Sequence, residues 1–69
     1  MVEIFKTDVC CEERAKEILA LLKTLFPEYI LNFDLEDRDK ILRAESGLVD
    51  IKNMLLALET NAVRAALID

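Results

Sequence analysis

Along this sequence the spacing of apolar residues switches between a period of about two and a period of about 3.6. That switching restricts the fold more than any single motif does. "VEIFKT" (Val2 to Thr7) places Val2 and Ile4 on one face and Glu3 and Phe5 on the other, as a short strand does. From Cys10 to Leu25, apolar residues fall at Ala15, Ile18, Leu19, Leu22 and Leu25 or Phe26, the stripe of an amphipathic helix. Glu12, Arg14, Lys16, Glu17 and Lys23 occupy its other sides, and Pro27 ends it by lacking an N–H and restricting Phe26. Tyr29, Leu31, Phe33 and Leu35 then alternate against Asn32 and Asp34. A polar turn from Glu36 to Asp39 follows, and Leu42 and Ala44 oppose Ile41, Arg43 and Glu45, so a hairpin is expected. Leu48, Ile51, Leu55 and Leu58, flanked by Met54, predict a second helix over Leu48 to Glu59, with Asn61 as its stop. Val63, Ala65 and Leu67 alternate against Arg64 and Ala66 in a last strand.

The order βαββαβ has few solutions, because right-handed split crossovers bring both helices onto one face of the sheet. An α+β, ferredoxin-like sandwich with a four-stranded antiparallel sheet is expected. The 69 residues form a single domain over 1–69, near the lower size limit for a fold stabilised by its core alone. With 54% apolar residues, one Gly and one Pro, disorder is not expected. Phe5, Ile41 and Ile68 are expected on the open face of the sheet, where such a patch marks association. A homodimer through that face or through a strand edge is therefore an expectation.

Charge and composition exclude several classes of function. Nine Lys plus Arg against 14 Asp plus Glu give a net charge of -5, which repels phosphate backbones and anionic membranes. No nucleic-acid or membrane partner is expected. No apolar run approaches the roughly 18 residues of a membrane span, and "MVEIFK" lacks the pattern of a signal peptide, so the reading is cytoplasmic. An enzyme is not expected, because there is no His, no nucleophile beside a base and no phosphate-binding loop. The acidic turn Asp34, Glu36, Asp37, Asp39 lacks the spacing of a calcium loop, and the sheet lacks the stacked aromatics and basic rim of an RNA-binding surface.

What remains is "KTDVCCEE", Lys6 to Glu13, in the loop joining the first strand to the first helix. Two adjacent cysteines form no disulfide framework, and a reducing compartment keeps them as thiols. The sequence around them resembles the heavy-metal-associated domains, a family of small copper chaperones and modules of metal-transporting ATPases. "LNFDLEDRDKILRAE" is similar to that family's hairpin, and "CEERAKEILALL" to the helix that follows its metal motif. The resemblance implies a soft-metal site for Cu(I) or Zn(II), a metal-transport partner protein, and thiolate ligands, since soft sulfur selects such ions. The family's M-x-C-x-x-C motif is degenerate here. Cys11 falls on its second cysteine; counted from the helix the first position is Asp8, counted from the strand alternation it is near Val9, and neither is a thiol.

The implied ligands are Cys11, Cys10 and Asp8, the carboxylate being acceptable to Zn(II) but hard for Cu(I). Adjacent side chains on a helix diverge by about 100°, so the two thiols converge only if the loop stays non-helical up to Cys11. Two plainer readings stand beside this one. Asp8 would cap the first helix, and one cysteine would fill the gap beneath the loop. A metal-free interaction module that keeps the same framework is the alternative function.

Overall fold

The computed structural model describes residues 1–68, so Asp69, the last residue of the expected domain, lies outside the described residues. Six elements follow one another: β1 (Val2–Thr7), α1 (Glu12–Leu25), β2 (Ile30–Asp34), β3 (Ile41–Glu45), α2 (Ile51–Thr60) and β4 (Ala65–Leu67). The strands make one antiparallel sheet ordered β2-β3-β1-β4, and the fold is α+β and ferredoxin-like. The expected hairpin is present. Leu31 pairs with Ala44 and Phe33 with Leu42, which puts the apolar sets of β2 and β3 on the same side. Lys40, at φ 47°, lets the chain enter β3, and its Nζ donates to the Leu35 carbonyl at 2.9 Å.

The register of β1 corrects one expectation. Phe5 pairs with Leu42 on one side and Leu67 on the other, and it is fully buried. It therefore faces the helices, while Val2, Ile4 and Lys6 take the open face. The physical reason is position, since β1 is a central strand with apolar residues on both faces. The largest of them goes where two helices can cover it, and Phe5 buried there contributes about 1.5–3 kcal/mol. Ile41 and Ile68 remain on the open side with Ile4, and Phe5 does not join them.

Both helices bury their stripes against that covered face. Ala15, Ile18 and Leu22 of α1 meet Met54 and Leu58 of α2 in one cluster with Phe5, Leu31, Leu42 and Ala44. Leu25 is exposed, and Phe26 closes the stripe in its place, its ring 5.0 Å from that of Tyr29. Leu48 does not belong to α2. It is 74% exposed, and the helix starts at Ile51 behind an Asp50 cap, so Met54, expected to flank the stripe, sits at its centre. Asn61 ends α2 as expected. Ala62 turns left-handed at φ 63°, its N–H donates to Glu59 O at 3.0 Å, and the Val63 N–H donates to Leu58 O at 2.9 Å. Those two bonds make a Schellman motif, and the buried Val63 and Leu58 supply its apolar contact.

Candidate functional site

Thr7, the last residue of β1, fixes where the loop departs. Its N–H donates to Asp39 O at 3.0 Å, its hydroxyl donates to Lys40 O at 2.6 Å, and the same oxygen accepts the Val9 N–H at 3.2 Å. Val9 is 2% exposed and occupies the gap beneath the loop, a place expected for a cysteine. An aliphatic side chain fills that gap without burying a thiol. Both cysteines are free and exposed.

Asp8 does not cap α1. Its N–H donates to Arg64 O at 3.1 Å and its Oδ1 accepts the Arg64 N–H at 3.0 Å, so it ties the loop to the approach of β4. The reason is distance along the chain. The helix starts at Glu12, which makes Cys11 the N-cap, three residues beyond Asp8. Cys11 has φ -138° and ψ 155°, the extended conformation of an N-cap, and its carbonyl accepts the Ala15 N–H at 3.0 Å. Its side chain makes no capping bond. The loop thus stays non-helical up to Cys11, which is the condition for its neighbour's thiol to swing toward its own.

The rest of the corner comes from the start of α1, the cap of α2 and the approach to β4. Arg14, in the first turn of α1, donates to the Asn61 carbonyl at the end of α2 and lies 3.8 Å from Glu17. A cation there satisfies a carbonyl left over by the helix and joins the two helices beside the loop. Lys6, Thr7, Asp8 and Arg64 line an open depression of about 270 Å³ on the neighbouring side. Chemically, the corner offers two solvent-facing sulfurs at a helix start, with Glu12 and Glu13 immediately after them.

The three residues expected as ligands are close in sequence but are not drawn into one cage. Asp8 is engaged with Arg64, and among the described residues no group of three or more His, Cys, Asp or Glu side chains is placed to hold an ion. Thr7, Arg14 and Arg64 were not singled out by sequence, although they hold the corner in place. Val9 alone carried a signal, as the one aliphatic residue between the strand and the cysteines. A scan against protein-family models, a search of the curated proteins and a search of the solved structures each gave no match.

Proposed function

We propose that this protein is a small domain of the heavy-metal-associated kind, whose exposed corner takes one thiophilic cation through Cys10 and Cys11. The observation that carries the reading is that the fold leaves both sulfurs unused: neither is buried, bridged or engaged as a cap. Two thiolates suffice for the near-linear coordination that the resembled family gives Cu(I). Zn(II) prefers four ligands, so it would draw further donors from a second molecule. Cu(I) is therefore the better cargo for this donor set, and transfer to a thiol-bearing partner protein the natural task. Asp8 acts on the site by fixing the loop through Arg64. Competition for Cu(I) against a chromophoric chelator tests the reading, with the Cys10→Ser, Cys11→Ser double variant as control.

A second reading, a metal-free self-associating module, is favoured by a different observation. Val2, Ile4, Ile30, Ile41 and Ile68 all lie on the sheet face that no helix covers, and Ile30 is 58% exposed. Lys6, Asp34 and the Arg43–Glu45 pair at 3.2 Å interrupt that surface. Sedimentation across a concentration range separates the two readings: a dimer that Ile41→Lys dissociates supports this one, and a wild-type monomer removes it.

A further inference from the structure

The edge of the sheet at β2 is built differently from the other edge. β4 is three residues long, whereas β2 pairs with β3 over five consecutive positions without a bulge. One side of every strand's hydrogen-bonding groups faces away from its neighbour, and β2 has a neighbour on one side only. Edges of this kind are usually blunted by Lys, Pro or a bulge. "ILNFD" has none of them.

Beside that edge, between β2 and α1, runs an open groove of about 480 Å³. Leu19, Phe33 and Leu35 give it an apolar lining, each of them packed on the core yet partly exposed. Its charge is concentrated at one end. Glu12 and Glu36 stand there, where β2 ends at Asp34, with Lys16 as the one cation among the described residues of the wall. A strand laid against β2 would point alternate side chains into this groove.

We infer that β2 is a docking edge for an extended segment of another protein, one that alternates apolar residues and carries Lys or Arg at the end lying beside Glu12 and Glu36. Main-chain bonds to β2 supply the pairing, the groove takes the apolar side chains, and the acidic end sets direction. A second copy of this chain is the poorer occupant, because each copy brings a net charge of -5 and the same acidic groove end. The groove shares Glu12 with the thiol corner, but the pairing edge Ile30–Asp34 contains neither cysteine, so docking there does not require a bound ion.

Selection from a library of random peptides about twelve residues long, enough to span β2 with flanks, tests this directly on the whole chain. The enriched peptides are expected to alternate apolar residues and to carry Lys or Arg at one end. Their binding should shift the amide resonances of Ile30–Asp34, weaken with added salt, and fall about tenfold or more in the Glu12→Lys, Glu36→Lys variant, whose two sites are exposed. Failure to enrich any peptide, enrichment without basic residues, shifts confined to Val2 and Ile4 on the open face, or unchanged binding by a folded variant would each overturn it. So would sedimentation of the chain alone as a dimer with its β2 amides protected from exchange.

Discussion

The two helices of this domain begin in opposite ways. At α2, the Asp50 Oδ1 accepts the Asn53 N–H at 3.1 Å, its Oδ2 accepts from the Asn53 side chain at 2.7 Å, and its own N–H donates to the Tyr29 hydroxyl at 2.7 Å. At α1 the corresponding position is Cys11, in the right backbone conformation but with no capping bond, and the carboxylate expected to cap, Asp8, is turned to Arg64. One start is built to hold, while the other leaves its sulfurs and its first-turn N–H groups open. A cap is worth about 1 kcal/mol, a noticeable fraction of the stability of so small a domain. Its omission at Cys11 leaves that thiol with no part in holding the helix start.

The comparison fails at once if α1 is simply a loosely docked helix. Leu22 and Met54, one on each helix, are both fully buried, so Leu22→Ala and Met54→Ala should each cost about 2–5 kcal/mol by transfer and cavity terms. Chemical denaturation reads both, and a near-wild-type midpoint for Leu22→Ala alone would assign the bare start to weak packing. Asp50→Ala should cost about 0.5–2 kcal/mol, since it removes the cap that α1 lacks. Cys11→Ser should act in the reverse direction and stabilise by about 0.5–1 kcal/mol, because a hydroxyl at this extended position reaches the first-turn N–H groups. A destabilised Cys11→Ser would mean that the sulfur does hold the loop. At the far end of α2, Ala62→Gly should gain up to about 1 kcal/mol by relieving a left-handed backbone, seen as a raised midpoint with an unchanged slope.

The elements that were legible in the sequence are those with one apolar face. Helix α1 and the hairpin of β2 and β3 carry a single stripe or a single alternation, and each buries the face expected of it. In β1 both faces are apolar, so period alone could not say which one the helices cover. Only the register against Leu42 and Leu67 decides for Phe5. Leu48 misled for a related reason, because it continues the helical spacing upstream of Asp50, whose capping bond to Asn53 sets the true start. At the corner, the sequence located the cysteines in the loop, but it could not tell that Val9 would fill the space beneath them or that Asp8 would turn to Arg64. Those depend on Lys40 and Arg64, which just precede β3 and β4 and are distant in the chain.

The most direct test of the central claim, that the sulfurs left free at the start of α1 serve to bind a thiophilic ion, is an anaerobic competition titration of Cu(I) between this protein and a chromophoric chelator. Wild type should withdraw a single Cu(I) per chain from the chelator. The Cys10→Ser, Cys11→Ser variant, folded and at least as stable, should withdraw none over the same range. A wild type that leaves the chelator's colour unchanged, or a double variant with the same isotherm as wild type, would contradict the account.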